Sequence, residues 1–409
     1  MQNNQKIPAG WSVKKISDLG NVVSGGTPDT NNPEYWDGDV LWVTPSEVSN
    51  LSNRFLYNTE RKITEKGLKE SSAKLLSINS LIICTRATIG DCCINKVPMC
   101  TNQGFKNIIV KNNNVDFLYY LITKNKNELI RKACGSTFLE ISKKDIDNLK
   151  FAIPPLLEQE KIAEILGTWD VAIEKLSNLI EQKKLLKKGL MQRLLTGKTR
   201  LPSFSQPWKE VKLGEILVER NEYTTQNNQV TILTSSRKGI FKQEDYFDKQ
   251  VASENNIGYK ILRRYDFTYR TMTDDDVYCF NQLVNEDVGA VSPAYSVFYC
   301  KNVPNLLIKE VLNSKYFGYQ LLKISQGGTR KSLKFSALKT LKIHLPSDIS
   351  EQQAIADVLS TADDEINLLN QKLEALKEQK KGLMQQLLTG QTRVKVRKNN
   401  DTTIHSSRF

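Results

Sequence analysis

The sequence predicts two dissimilar domains, each followed by a copy of one long helix, with the two helices pairing as an antiparallel intramolecular coiled coil. Three observations carry this. Residues 187–200 read Lys-Lys-Gly-Leu-Met-Gln-Arg-Leu-Leu-Thr-Gly-Lys-Thr-Arg, and residues 380–393 repeat them with 12 identities in 14. Upstream, at the same offset of 193 residues, Glu158-Gln159, Ile162-Ala163, Leu166, Thr168, Asp170 and Ile173 answer Glu351-Gln352, Ile355-Ala356, Leu359, Thr361, Asp363 and Ile366 without a gap. Both copies carry a seven-residue apolar period, the signature of a coiled-coil seam. A repeat missed at this stage would misassign the whole fold.

The first variable domain, residues 1–152, has strand-like runs at 39–43, 81–84 and 107–110 and a helical stretch near 115–133. The first conserved helix, 153–200, places Ile162, Trp169, Leu176, Lys183 and Leu190 at one seam position and Leu166, Ile173, Ile180, Lys187 and Leu194 at the other. The stems of Lys183 and Lys187 are expected to cover apolar surface while their heads stay in water. The second variable domain, 201–344, has a strand-like run at 296–300 and a helical stretch near 304–324. In the second conserved helix, 345–393, the seam is Ile355, Ala362, Leu369, Leu376 and Leu383 with Leu359, Ile366, Leu373, Lys380 and Leu387, and a basic tail, 394–409, follows. The helices pair best antiparallel, because the second variable domain must travel back along the first helix before the second begins.

Smaller markers repeat as well. Gly135-x-Thr137, Leu149-Lys150 and Pro154 match Gly327-x-Thr329, Leu341-Lys342 and Pro346, and each domain opens alike, on Trp11 and on Trp208. Between these markers, 21–134 and 217–326 show no comparable similarity. Gly189 and Gly382 fall inside the helices, where glycine costs up to about 1 kcal/mol. Their recurrence suggests close backbone approach, between the helices or to a partner protein.

Composition narrows the function. The 409 residues carry 58 Lys+Arg against 45 Asp+Glu, a net charge of +13, and only two histidines. That excess suits a polyanion partner. Divided along the repeat it becomes a pattern: each variable domain has 20 basic and 15 acidic residues, each helix opens acidic, and the helix ends are the most basic segments. Lysines and arginines there also oppose the negative helix C-terminus. Seven cysteines without CxxC pairs argue for free thiols in a reducing cytoplasm. The polar start of the chain and its short apolar runs argue against a secretory signal and a membrane span.

Motifs that suggest catalysis have simpler readings. Gly197-Lys198-Thr199 lacks the upstream glycine of a phosphate loop and reads as helix termination. Asn32-Pro33-Glu34-Tyr35 is similar to the Asn-Pro-Pro-Tyr element of amino-methyltransferases, but no glycine-rich nucleotide turn precedes it, so it reads as a turn. Asp274-Asp275-Asp276 reads as an acidic loop rather than a metal site, and Cys92-Cys93 as a strand interior. No nucleophile, acid–base pair, metal set or cofactor cradle stands out.

Nearly the whole chain resembles the specificity subunits of type I restriction–modification systems. The resemblance rests on the endings at 189–200 and 382–393, on Pro155-Leu156-x-Glu158-Gln159, and on Ser24-Gly25-Gly26-Thr27-Pro28, Pro33-Glu34-Tyr35-Trp36 and Trp42-Val43-Thr44. Further support comes from Arg86-Ala87-Thr88-Ile89-Gly90, Asn102-Gln103-Gly104-Phe105, Gly258-Tyr259-Lys260 and Gly289-x-Val291-Ser292-Pro293-Ala294-Tyr295. It implies a mixed α/β fold for each variable domain, which becomes a target recognition domain reading one half of a split sequence in double-stranded DNA. The helices would fix the unread gap and dock two modification subunits, which carry S-adenosylmethionine and methylate adenine. Restriction subunits would bring ATP-driven translocation and Mg-dependent cleavage, and the chain itself would be non-catalytic and bind no cofactor.

Phosphates take Arg and Lys, and base edges take Arg, Lys, Asn and Gln. The candidates are Thr27, Arg86, Thr88, Asn102, Gln103 and Lys106 in the first domain and Ser235, Arg237, Lys238, Tyr269, Arg270, Arg330 and Lys331 in the second. Arg86 is equally suited to anchoring its own loop. Two other classes compete: a self-sufficient DNA adenine methyltransferase-like enzyme using Asn32 to Tyr35, and a coiled-coil adapter with no DNA role.

Overall fold

A computed structural model describes residues 7–133, 139–246, 255–327 and 330–395. Cys134, Gly135, Thr137, Thr329 and the tail from 396 onward lie outside these residues. The chain forms two compact units, Met1–Asn178 with Gln371–Phe409, and Leu179–Asn370. The division runs through both long helices, so each unit combines one variable domain with part of each helix.

The long helices span Leu156–Leu194 and Ile349–Leu387, 39 residues each. Both start after proline-containing segments that close a strand pair, and both stop where Gly197 and Gly390 take φ of +68° and +69°, a conformation only glycine adopts without cost. Helix termination is therefore the role of the Gly-x-Thr endings. Within the first unit Glu158 meets Arg393 and Asp170 meets Lys380; within the second Lys187 meets Asp363 and Arg200 meets Glu351. One number rises as the other falls, so the helices are antiparallel in each unit. Every residue assigned to the seam is buried or half-buried, and Ile162, Leu166, Ile355 and Leu359 run straight into the domain cores.

The two variable domains share a frame that their sequences hide. In the first, a five-stranded sheet is ordered Gly20–Ser24, Phe105–Val110, Leu81–Cys84, Cys92–Asn95, Phe55–Leu56. In the second, a four-stranded sheet is ordered Leu217–Glu219, Tyr295–Cys300, Phe267–Arg270, Asn281–Gln282. Each domain is closed by pairing its opening and final strands, Ser12–Lys15 with Lys150–Ile153 and Trp208–Lys212 with Lys342–Pro346. The expected helical stretches are present but divided: Val115–Lys124 and Lys126–Lys132 break at Asn125, and Asn305–Leu312 and Lys315–Ile324 break at Asn313 and Ser314. Asn114 and Ser314 accept the N–H groups of Phe117 and Phe317, the side-chain caps that start two of these helices.

The cores differ in filling. The first is mainly aliphatic around Ile83, Ile108, Leu118 and Leu121. The second holds a cluster of rings in which Phe298 lies 5.3 Å from Phe267 and 5.4 Å from Phe335, with Tyr269 and Phe280 alongside. The six described cysteines are free thiols. Burial pushes those of Cys84, Cys92, Cys100 and Cys300 up to about 12, so they stay protonated and unreactive at neutral pH.

Two expectations for the helices are corrected. The head of Lys187 is not in water: it pairs with Asp363 at 2.7 Å and Glu310 at 3.0 Å, while Lys183 pairs with Glu365. A Cβ added at Gly189 or Gly382 would meet nothing within 4 Å, so close approach between the helices does not explain these glycines.

Candidate nucleic-acid interface

In both sheets the third strand of the order given above, Leu81–Cys84 and Phe267–Arg270, ends in the same device. Thr85 donates its backbone N–H and its hydroxyl to the Gly104 carbonyl and accepts from the Ile141 N–H. Thr271 does the same with the Ala294 carbonyl and the Leu333 N–H. In each unit this threonine joins three chain segments, which carry Arg86 and Gln103 beside it in the first and Arg270, Arg330 and Lys331 in the second.

In the first unit the gathered loops carry Thr27, Arg86, Asn102 and Gln103. Gly25 donates to the Phe105 carbonyl and Gly26 to that of Thr101; a Cβ on Gly25 would lie 1.9 Å from the Asn102 carbonyl, so the close crossing needs glycine. The Thr27 hydroxyl donates to Gln103, Asn102 accepts from the Gly104 N–H at 2.8 Å, and Gln103 is exposed. Arg86 pairs with Glu140 at 2.6 Å and is half exposed, so it serves its loop and faces solvent as well. Partial burial opposes the charge of Glu140, yet the hydrogen bond from Arg86 and the attraction of Lys106 hold its carboxyl below the ordinary 4.5. Thr88 is half-buried with its hydroxyl enclosed.

In the second unit three of the candidates, Ser235, Arg237 and Arg270, line a cleft of about 260 Å³ together with Asp274 and Tyr278. Ser235 lies in the hairpin of Leu233–Ser236 with Gly239–Lys242, where Asn281 donates to its hydroxyl at 2.8 Å. Arg237 in the turn pairs with Asp275, Arg330 with Asp274 at 2.6 Å, and Lys331 with Asp276 at 2.9 Å. Lys238 and Arg270 are exposed, and among the described residues neither side chain has an ion-pair partner.

Three candidates leave the surface set, Thr88 through its enclosed hydroxyl and two more through burial of the whole side chain. Tyr269 is fully buried and donates its hydroxyl to the Leu333 carbonyl at 3.1 Å, as a core residue of the sheet. Lys106 is 6% exposed and, among the described residues, its ammonium reaches Glu140 alone, at 3.3 Å. Their neighbours explain the difference. Strand residues alternate between faces, and Arg270 beside Tyr269 is the one turned to solvent. Conversely, Glu140 and Asp274 to Asp276 hold Arg86, Lys106, Arg237, Arg330 and Lys331, a role that no local pattern announces.

The suspect catalytic motif is closed. Pro33–Tyr35 is a 3-10 turn in which Asn32 accepts from the Glu34 N–H at 3.0 Å, while Glu34 pairs with Lys66 and Tyr35 with Glu70. No group of three metal-binding side chains occurs among the described residues, and no helix there is long and apolar enough to cross a membrane.

Duplicated frames carrying different polar loops, on one shared pair of helices, define a two-headed recognition protein. The model of the type I restriction modification DNA specificity domain matches twice, at residues 8–184 and 205–378. The chain belongs to that family, the type I restriction–modification specificity subunits. It is 31% identical to the type I restriction enzyme MjaIX specificity subunit of Methanocaldococcus jannaschii over 369 residues, covering 86% of this chain and 84% of that one. The MjaVIII specificity subunit of the same organism is 24% identical over 95% of both chains. Among solved structures, a chain from work on complex assembly and conformational transition of the type I R-M system matches with a TM-score of 0.57 at 17% identity, covering 95% of this chain and all of that one. The S subunit from M. genitalium matches with a TM-score of 0.53 at 14% identity, covering 95% and 98%. These structural likenesses bear on the fold. Neither a self-sufficient methyltransferase nor a coiled-coil adapter without a DNA role is supported.

Proposed function

We propose that this chain is the sequence-reading subunit of a type I restriction–modification complex, in which each recognition domain reads one half of a split site in double-stranded DNA. The observation that carries this is the repeated threonine frame with unlike loops: a common mount keeps two readers in place while their polar side chains differ. Arg86 and Gln103 in the first domain, with Arg237, Lys238, Arg270 and Arg330 in the second, are the exposed groups suited to phosphates and base edges. The chain supplies no catalysis and binds no cofactor. S-adenosylmethionine, ATP and Mg belong to the partners, two modification subunits and the restriction subunits, and the assembly works in the cytoplasm.

The conserved helices dock the modification subunits. Leu185 and Leu186 are 67% and 58% exposed and lie off the seam, an apolar face suited to a partner protein. Gly189 and Gly382, with open space over each, leave room for a partner backbone. The test is a purified complex of this chain with its modification partner, assayed for adenine methylation alongside S-adenosylmethionine binding by the isolated chain. Methylation of a split, asymmetric site and no binding by the chain alone are expected; a short continuous site, or cofactor binding by the chain, would refute the proposal.

A further inference from the structure

The two helices carry a half-buried ion pair at equivalent places, and in each unit that pair also grips the recognition domain. In the first unit Lys380 pairs with Asp170, which also accepts from the Tyr120 hydroxyl and from Arg54 at 3.2 Å. Arg54 continues to Asp116, at 2.6 Å, in the first turn of Val115–Lys124. Gly167 leaves the space for this crossing, since a Cβ there would sit 3.2 Å from the Arg54 guanidinium. In the second unit Lys187 pairs with Asp363 and also with Glu310 of Asn305–Leu312. Asp170 and Asp363, like Lys187 and Lys380, are the same positions of the two repeats. The domain-side grip is independent in each: Tyr120 and Arg54 take hold of the aspartate, Glu310 of the lysine.

All these side chains are at most one-third exposed. Burial opposes the charge of Lys187, but the hydrogen bond to Asp363 and the attraction of Glu310 hold its pKa above the usual lysine value. A buried ion pair adds little stability over well-packed apolar residues of the same size, and its best attested use is to fix register. An all-leucine seam tolerates a slip that would move a reading domain along its helix. A lysine at a seam position, matched to one aspartate and one group on the domain, does not.

We infer that Lys187–Asp363–Glu310 and Lys380–Asp170–Tyr120–Arg54 are positioning joints that hold each recognition domain at one place and angle on the helix pair, and so confine methylation to a single gap length between the half-sites. This rests on the split-site reading above.

The experiment uses the complete methyltransferase complex and duplexes whose half-sites are separated by the native gap or by one or two base pairs more or less. The native complex is expected to methylate neighbouring gaps about 100-fold more slowly, the scale on which a misplacement of about 1 Å acts. K187M and K380M, together and singly, are expected to bring neighbouring gaps to within about tenfold of the native one. Y120F with E310Q leaves both Lys–Asp pairs in place and loosens only the grip on the domains, so it covers the case in which the lysine variants fail to fold; a smaller broadening is expected. A proportional loss of rate at every gap, without broadening in either set, would overturn the inference. Failure of the native complex to methylate any split site would instead overturn the underlying reading, and is seen before any substitution is made.

Discussion

The two units solve one mounting problem with opposite charges. In the first, the loop leaving Thr85 supplies the cation: Arg86 reaches across to Glu140 on the segment before Ile141. In the second, the loop leaving Thr271 is acidic: Asp274 and Asp276 reach Arg330 and Lys331 on the segment before Leu333. The backbone bonds around the threonines are the same and the polarity is reversed. The lesson is that the frame is held by main-chain hydrogen bonds and apolar burial, which leaves loop chemistry free to change between readers.

The largest expected effect breaks the frame on one side only. Phe298 and Ile108 occupy matching places beside the edge strands. Phe298→Ala, which empties the centre of the ring cluster, is expected to cost about 3–5 kcal/mol, and Ile108→Ala about 2–5 kcal/mol. Native-state hydrogen exchange resolves the units, and protection should fall mainly in the unit carrying the change. Equal loss in both would show that they do not stand as separate frames.

Next comes the polarity itself. Neutralising the exposed acidic loop with D274N, D275N and D276N frees three cations, so generic DNA binding should strengthen about tenfold or more, and its log–log salt dependence steepen by up to about 2.7. An unchanged slope would mean that those cations do not face phosphate. E140Q in the first unit should do less for DNA binding, because one of the two cations it releases, Lys106, is buried.

Acid tests the first loop on its own. Glu140 has its folded pKa lowered, so its contribution to stability is complete above the unfolded value and is lost as pH falls through the lowered one, that is, below 4.5. Thermal unfolding followed between pH 5 and 3 should show the Arg86 loop loosening there in the native chain and not in E140Q.

The smallest effect concerns the helices that the units share. Gly189→Ala and Gly382→Ala should stabilise by up to about 1 kcal/mol, since neither Cβ meets a neighbour. Binding of the modification subunit, measured by titration, should nevertheless weaken if those glycines admit its backbone.

What the sequence discloses follows from the range of the interactions. The helices, their seams and their glycine stops are legible because each depends on spacing within a few residues, and because the duplication prints them twice. The duplication also has a structural reason that is not legible: Arg393 at the end of the second copy binds the buried Glu158 at the start of the first, beside Trp11, and Arg200 binds Glu351 beside Trp208. Each copy completes the other, so both ends are kept alike. The frame common to the variable domains stays hidden because backbone groups carry it and leave no side-chain signature beyond a threonine. Lys187 misleads for a related reason, since its partner Asp363 is 176 residues away. Among the candidate contacts, strand alternation separates Tyr269 from Arg270, whereas the ties from Arg86 to Glu140 and from Arg237 to Asp275 need the folded chain.

The central claim, two independent readers on one shared mount, is tested most directly by replacing residues 201–344 with the matching segment of another family member and mapping the methylated motif in cells that carry the modification partner. The account predicts a split motif in which one half changes while the other half and the gap stay as they were. A change in both halves, or a continuous motif, would contradict it.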